Sequence, residues 1–163
     1  LDVFAENLYH AYKGNGAFLN SQKIKTSDTG IKTEFSFTMY ETLNSRLYID
    51  HPQKYEIFQK KLNLLERETY RMRNIGLSPL SICYVADGSA VAFVDFSNAT
   101  KIYDAEAALL IAKESGAIIG DTNGNVIDNI KFSSEGVKKI ESSLLVANPQ
   151  AFNEISSIFS KVS

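Results

Sequence analysis

The part of the sequence that most limits the fold runs from residue 70 to the end of the chain, where short apolar segments alternate with helical patterns. Residues 90–94 read AVAFV, an unbroken apolar run of the kind found in strands buried on both faces. A nearly all-apolar helix is predicted before it at 78–86, and an Ala-rich helix with acids in its first turn follows at 104–116. This alternation predicts an α/β fold, a mixed β-sheet covered by helices.

Further strands and helices are predicted on both sides of the apolar run at residues 90–94. Residues 8–12 and 17–20 are typical of short strands around a glycine turn, and residues 32–39 alternate polar and apolar as a half-buried strand does. Pro52 is placed to begin an amphipathic helix of about four turns. The elements predicted near the carboxyl terminus are a hairpin turn at Asn123-Gly124, a strand over 143–147 and a helix capped by Asn148.

Composition and charge narrow the class of protein. The chain has 163 residues, 44% hydrophobic and 22% charged, which predicts one globular domain over residues 1–163. Seventeen basic and 19 acidic residues give a net charge of −2, so nucleic acid is not an expected partner. No apolar stretch reaches the ~20 residues of a membrane span, and the single Cys83 cannot form an internal disulfide. We expect a cytoplasmic protein without a membrane partner.

Three patterns look like ligand sites but lack an essential part. Residues 14–19 (GNGAFL) carry the first two glycines of a dinucleotide-binding loop, but Leu19 stands where the third belongs. Residues 121–125 (DTNGN) begin like a calcium loop, but their glycine comes too early, so we interpret them as a hairpin turn. His10 and His51 have no cysteine or histidine at ligand spacing, which leaves a zinc site without support.

Asp104 has two interpretations. It stands at the start of a well-formed helix, where an aspartate commonly accepts hydrogen bonds from first-turn amides as the N-cap. The same end of a helix is where a phosphate, or the metal ion that accompanies one, is electrostatically favoured. Spacing alone leaves both interpretations open.

The sequence around Asp104 resembles a known family. Residues 103–108 (YDAEAA) and 114–117 (ESGA) are similar to the W-D-x-A-A-G and E-A-G-G signature of the inositol monophosphatase family, with Tyr103 in place of Trp. The spacing from Asp95 to Asp104 is most similar to the archaeal branch of inositol monophosphatases and fructose-1,6-bisphosphatases.

Three other segments carry the same resemblance in the same order. Residues 8–20 are similar to the family's E-L-Y-x-A-x-x-G-x-G-A-F-x-N-G segment. Residues 71–88 resemble its R-x-x-G-S-A-A-L-x-x-x-x-V-A-x-G segment, with Leu77 where Ser or Thr is usual. Residues 144–148 correspond to its closing strand. Together the four segments cover nearly the whole chain.

The resemblance implies the C-terminal domain of a layered αβαβα phosphatase that uses two or three Mg²⁺ ions. Family members hold these ions by an upstream Glu, by a D-P-x-D-G-[ST] segment and by the Asp of the signature described above. Only the last is present here, as Asp104. Residues 87–89 (DGS) end like the second segment, but Tyr84 and Val85 stand where Asp and Pro belong. We therefore expect the C-terminal half of a larger enzyme, without its N-terminal metal-binding half and inactive alone.

The resemblance also implies a substrate, an assembly and a binding site. The substrate would be a sugar or inositol phosphate, with inositol 1-phosphate, fructose 1,6-bisphosphate and adenosine 3′,5′-bisphosphate left open, and the assembly a homodimer. The implied substrate-binding residues are Gly76, Leu77 and Ser78 at a helix start, Asp95 and Lys101 around a polar loop, and Arg71, with Arg73 as the alternative cation. A different hypothesis keeps the fold but makes the chain a non-catalytic binding or dimerisation module.

Overall fold

The computed structural model describes residues 2, 5–41, 45–97, 100–128, 140 and 142–162. The strands are β1 (Tyr9–Tyr12), β2 (Gly16–Leu19), β3 (Gln22–Ile24), β4 (Thr38–Glu41), β5 (Met72–Arg73), β6 (Ala92–Asp95), β7 (Ile118–Gly120) and β8 (Leu144–Ala147). The helices are α1 (Ser45–Asp50), α2 (Pro52–Glu68), α3 (Ser78–Ala86), α4 (Ile102–Glu114) and α5 (Pro149–Phe159).

Two β-sheets organise these elements. The strands β1, β2 and β3 form a small antiparallel sheet in that order. The larger sheet has the order β5-β4-β6-β8-β7. In it β4 is parallel to β5 and β6, whereas β8 is antiparallel to β6 and β7. The predicted mixed sheet covered by helices is confirmed.

The larger sheet lies between two layers of helices, each with its own core. On one face Met39, Phe93 and Val146 pack against α3 and α4, and α4 in turn contacts β1 and β2. On the other face Val94 and Leu145 pack in a second core with α1, α2 and α5. The layers therefore follow the order small sheet, helices, large sheet, helices. Every residue of β6 is buried, as its apolar sequence predicts.

The helices begin close to where the sequence predicts. Pro52 starts α2, which runs for 17 residues. Asn148 caps α5, because its Oδ1 accepts the N–H of Ala151 at 2.8 Å. The Asn148 Nδ2 also donates to the carbonyl of Thr29 at 2.9 Å, so one buried amide both starts a helix and fixes a neighbouring loop. No helix in the described ranges is both long enough and apolar enough to cross a membrane.

Residues 32–37 are not a strand, so this part of the sequence prediction is wrong. The N–H of buried Ile31 donates to Glu154 Oε2 on α5 at 2.8 Å, and the N–H of Ser36 donates to the carbonyl of Thr33 at 2.9 Å. Phe35 has a φ of +66°, in the left-handed region that breaks an extended chain. The backbone of this segment is therefore used in a turn and in a contact with α5, and β4 starts only at Thr38.

Three further differences concern short elements. The sequence pattern does not predict β3 or α1, both of which are too short to carry a clear periodicity. Among the described residues, the hairpin predicted around Asn123-Gly124 is a single bridge between Gly120 and Val126, and the other edge of β7 pairs with β8. The hairpin turn predicts a following strand over residues 126–130, of which 129 and 130 lie outside the described residues.

A buried lysine fixes the turn at residues 121–125. Lys61 of α2 is 3% exposed, and its Nζ donates to the carbonyl of Thr122 at 2.7 Å and to Asn123 Oδ1 at 2.9 Å. Burial lowers the pKa of Lys61. The Asp121 carboxylate accepts two backbone N–H groups of the same turn. In a calcium loop, oxygens of this kind would bind the ion. Here Lys61 and the backbone amides of the turn form hydrogen bonds with them instead.

Candidate functional site

The carboxyl ends of β4 and β6 bring two acidic side chains together. Glu41 ends β4, Asp95 ends β6, and the two residues are paired in the parallel register. Met39 and Phe93, two residues earlier, pack against α3 and α4, so Glu41 and Asp95 point to that same face of the sheet. Ser78, the first residue of α3, donates a hydrogen bond from Oγ to Glu41 Oε2 at 3.0 Å. We call Glu41, Ser78 and Asp95 the polar edge.

Asp95 is buried at the polar edge and holds the loop that follows it. Only 1% of the residue is exposed. Its Oδ1 accepts the N–H of Ser97 at 2.6 Å, and its Oδ2 accepts the hydroxyl hydrogen of Thr100. Thr100 directly precedes Lys101, the N-cap of α4. Asp95 therefore fixes the chain at the point where α4 begins.

Asp104 lies in the first turn of α4 but is not its N-cap. The helix begins at Ile102 with Lys101 as N-cap, so the N-cap interpretation of Asp104 is wrong. The N–H of Asp104 donates to the carbonyl of Lys101 at 3.1 Å. The Asp104 side chain is half-buried, and its carboxylate makes no hydrogen bond or salt bridge with any other residue that the structure describes. Among the described residues, none competes with a ligand for that carboxylate.

The start of α3 places a glycine and uncapped amides beside the polar edge. Gly76 has a φ of +67°, which favours glycine, and its N–H donates to Asn74 Oδ1 at 2.7 Å. Leu77 is the N-cap, and its apolar side chain offers no oxygen to the first N–H groups of the helix. Ser78 follows directly. Of the three predicted residues, Ser78 contacts Glu41, the sheet neighbour of Asp95.

Arg71 does not lie at the polar edge. Its guanidinium carbon is 5.5 Å from the centre of the Tyr70 ring. Its carbonyl accepts the N–H of Thr38, the first residue of β4. Three further residues of strand, about 10 Å, separate Thr38 from Glu41. The alternative cation, Arg73, pairs with Met39 in the sheet and is therefore nearer.

The other cations beside the polar edge are directed to aromatic rings. The Arg73 guanidinium carbon lies 5.5 Å from the centre of the Phe37 ring. The Lys101 Nζ lies 5.4 Å from the centre of the exposed Tyr103 ring. The nearby Tyr103 hydroxyl raises the pKa of Lys101. Both side chains keep their charge in contact with an aromatic ring.

The glycine turn at residues 14–16 binds a carboxylate from its own chain. Glu114, the last residue of α4, accepts the N–H of Gly14 at 2.8 Å and the N–H of Gly16 at 3.0 Å. These two backbone hydrogen bonds lower the pKa of Glu114. The turn that looked like part of a nucleotide loop therefore joins the small sheet to α4.

We expect Glu114→Gln to lower the melting temperature at pH 7, because glutamine cannot replace the charge that the two N–H groups bind. A carboxylate with a depressed pKa stabilises the fold above the pKa of the unfolded chain, and this stabilisation is lost as the pH falls through the folded-state pKa. The difference in melting temperature should therefore shrink toward pH 3. Glu66→Gln, at an exposed position of α2, is the control and should show no such pH dependence.

At the far end of α3, the Asp87 carboxylate is used in two hydrogen bonds within the fold. The Asp87 Oδ2 accepts the hydroxyl hydrogen of Tyr9 at 2.5 Å, and its Oδ1 accepts the N–H of Ser89 at 2.8 Å. Burial raises the pKa of Tyr9, and burial raises the pKa of Cys83 to about 12. Asp87 therefore ties α3 to β1, and Cys83 is a protonated thiol at neutral pH.

Sequence reasoning missed Glu41 and Thr100. Glu41 follows an alternating segment, but the strand was predicted to end two residues before it. Aligning the ends of the two buried strands would have placed Glu41 beside Asp95. The only sequence feature of Thr100 is its position in a polar loop, and this feature does not identify a functional residue.

Comparison with known proteins assigns the family. A family model described as the inositol monophosphatase family matches residues 1–161. The chain belongs to the inositol monophosphatase family. It is 30% identical over 154 residues to a fructose-1,6-bisphosphatase/inositol-1-monophosphatase from Methanocaldococcus jannaschii, covering 94% of this chain and 53% of the relative. It is 31% identical over 125 residues to inositol monophosphatase 2 from Rattus norvegicus, covering 76% of this chain and 40% of the relative.

Solved structures show the same fold. An inositol monophosphatase from Anabaena (Nostoc) sp. PCC 7120 superposes with a TM-score of 0.75 at 19% identity, over 98% of this chain and 58% of that one. An inositol monophosphatase–fructose 1,6-bisphosphatase superposes with a TM-score of 0.72 at 28% identity, over 96% of this chain and 54% of that one. The chain spans about half the length of the curated relatives it matches.

Proposed function

We propose that this chain is the C-terminal half of a Mg²⁺-dependent phosphatase that hydrolyses a phosphate monoester of inositol or of a sugar. Membership of the family and the names of the relatives support a phosphatase. The observation that carries the proposal is the Asp104 carboxylate, which is half-buried in the first turn of α4 and has no partner among the described residues. Such a carboxylate suits a hard cation, which prefers oxygen ligands.

The residues described here supply one metal ligand rather than a complete site. No group of three or more His, Cys, Asp or Glu side chains among them could hold a metal ion. Mg²⁺ requires octahedral oxygen coordination, usually from waters and one or two carboxylates at fixed distances. The described residues alone therefore do not fit the two or three ions that the family resemblance implies. The proposal requires further ligands from outside them.

The polar edge is suited to bind and orient the part of the substrate that carries hydroxyl groups. The Glu41 carboxylate and the Ser78 hydroxyl can accept and donate hydrogen bonds, and the uncapped amides of α3 lie next to Ser78. Asp95 and Thr100 fix the start of α4 and so position Asp104 relative to this edge. Holding a substrate in one orientation lowers the entropic part of the barrier to reaction.

Hydrolysis by the complete protein that contains this chain is the direct test. With Mg²⁺ it is expected to release phosphate from inositol 1-phosphate or fructose 1,6-bisphosphate, and removal of the metal with EDTA should abolish the release. A folded complete protein that releases phosphate from neither ester, at any Mg²⁺ concentration, would contradict the proposal. That result would favour the non-catalytic binding or dimerisation module.

We also propose self-association, which the family resemblance implies. Among the described residues β1 pairs along one edge only, with β2. Leu8, directly before this strand, and Tyr12, its last residue, are 49% and 62% exposed. Open strand edges and exposed apolar side chains favour pairing with another chain.

The isolated chain is therefore expected to be a dimer or a larger assembly at low micromolar concentration. Covering ~600 Å² of apolar surface contributes about 15 kcal/mol at ~25 cal/mol per Å², which is comparable to the stability of a whole domain. Light scattering across a dilution series measures the assembly. A cooperatively folded monomer at low micromolar concentration would contradict both the dimer and the half-enzyme proposal.

A further inference from the structure

A pocket lies in the layer formed by α2 and α5, away from the polar edge. It has a volume of about 470 Å³ and lies between residues 31–32, the end of α2 and one side of α5. The helices α2 and α5 cover the face of the large sheet opposite to α3 and α4. Pockets that bind small molecules commonly measure ~300–1,000 Å³. This pocket, which we call the outer pocket, is therefore large enough for a ligand and is separate from the polar edge.

The outer pocket has apolar residues in its lining and a wall that is fixed by hydrogen bonds. Ile31 and Ile158 line it and are 1% and 6% exposed. The Glu154 carboxylate accepts the N–H of Ile31 at 2.8 Å through Oε2 and the side-chain amide of Gln150 at 2.9 Å through Oε1. Glu154 therefore joins the loop to α5 and holds the pocket in shape, with a hydrogen bond already made by each of its oxygens.

Two lysines and one further carboxylate set the charge of the outer pocket. The Lys32 Nζ pairs with Glu68 Oε2 at 2.5 Å. The hydrogen bond from Lys32 lowers the pKa of Glu68, and the charge of Lys161 lowers it further, so both lysines act on this carboxylate. Lys161 forms no salt bridge with any residue that the structure describes. Its ammonium group is thus the cation that can meet an anion from outside the chain.

Neutral donors lie beside this cation. Asn153 and Ser157 both line the outer pocket, and residues four positions apart share one face of a helix. Both are exposed, and neither side chain has a hydrogen-bond partner among the described residues. The Lys32 ammonium group has three hydrogens, of which Glu68 needs one. An amide, a hydroxyl and two ammonium groups can therefore donate to one bound group without breaking a contact of the fold.

We propose that the outer pocket is a second binding site, which takes a small hydroxylated phosphate ester. Lys161 and Ser157 donate to the phosphate oxygens, with Lys32 beside them, and the rest of the molecule covers Ile31 and Ile158. An ammonium group is a compact point charge that suits a phosphate, whereas a planar carboxylate is best matched by arginine. The apolar lining and the volume favour an ester over free phosphate. The inference does not depend on the proposed phosphatase function, because no residue of the polar edge takes part.

Isothermal titration calorimetry of the complete protein in EDTA, with glucose 6-phosphate as the probe, tests this site. Lys161→Gln should raise the Kd about tenfold or more, because hydrogen bonds to charged groups are the strong ones. Ser157→Ala should raise it about threefold. Lys60→Gln makes the same change of charge at an exposed position of α2 outside the pocket and should leave the Kd unchanged. Asp104→Asn should also leave it unchanged, which separates this site from the first turn of α4.

Two other probes test the chemistry of the ligand. Gluconate, which carries a carboxylate, and inorganic phosphate, which cannot cover Ile31 and Ile158, should each bind at least about fivefold more weakly than glucose 6-phosphate. Thermal unfolding shows that each variant is folded. The inference is overturned if glucose 6-phosphate does not bind, if folded Lys161→Gln keeps the wild-type Kd, or if gluconate binds as tightly. A phosphatase without this binding would still satisfy the proposed function, and binding without hydrolysis would leave the outer pocket as proposed.

Discussion

Asp104→Asn is expected to lower the kcat of the complete enzyme by about 10²-fold or more, since a carboxylate ligand that helps to hold a catalytic cation contributes several kcal/mol. The Mg²⁺ concentration needed for half-maximal activity should rise, because a neutral amide is a poorer ligand for this ion. The melting temperature should change little. Asp104 is not the N-cap of α4, and its carboxylate makes no hydrogen bond with any other described residue.

The measurements are kcat and KM over a Mg²⁺ titration, together with thermal unfolding of each variant. Glu106→Gln is the matched control, because it removes an exposed carboxylate two residues further along α4. It should retain the wild-type kcat and Mg²⁺ requirement. Wild-type turnover in Asp104→Asn, with only a lower melting temperature in Asp104→Ala, would show instead that the residue stabilises the helix.

The long elements of this fold could be predicted because their patterns are local. The strand around Phe93 has an apolar run that only a buried strand explains, and α2 carries both a proline start and a helical apolar stripe. Asn148 and Pro149 mark the start of α5 without knowledge of any tertiary contact. In each case the sequence near the element contains the reason for it.

The errors fall where a distant residue decides the structure. Residues 32–37 have the alternation of a strand, but the bond from Ile31 to Glu154 anchors the start of this segment to α5. Lys61 similarly reaches across the chain to the turn at Thr122. The two residues of each contact are 123 and 61 positions apart in the sequence, so no local pattern predicts these contacts.

The polar edge was only partly predictable for the same reason. Asp95 and Ser78 could be singled out through the resemblance to a family, but Glu41 becomes visible only when the register of β4 against β6 is known. Spacing alone likewise left Asp104 with two local interpretations. The start of α4 at Ile102 decides against the cap, and a helix boundary is the kind of feature that sequence patterns locate least well.

A purified 163-residue chain, verified by its mass, is expected to hydrolyse inositol 1-phosphate and fructose 1,6-bisphosphate at least ~10³-fold more slowly than the complete protein at saturating Mg²⁺. In two-metal hydrolysis of a phosphate ester, cations stabilise both the attacking and the leaving oxygen. In the described part of the chain, Asp104 is not joined by a cluster of ligands that could hold them.

Circular dichroism and thermal unfolding of the same preparation separate inactivity from failure to fold. A folded but inactive chain, whose activity returns when the remainder of the protein is added, would support the division of the enzyme into two halves. Turnover by the isolated chain at an enzyme-like rate would contradict it, because the metal ligands would then have to lie within these 163 residues. Asp104→Asn in the isolated chain would in that case still report whether this carboxylate is one of them.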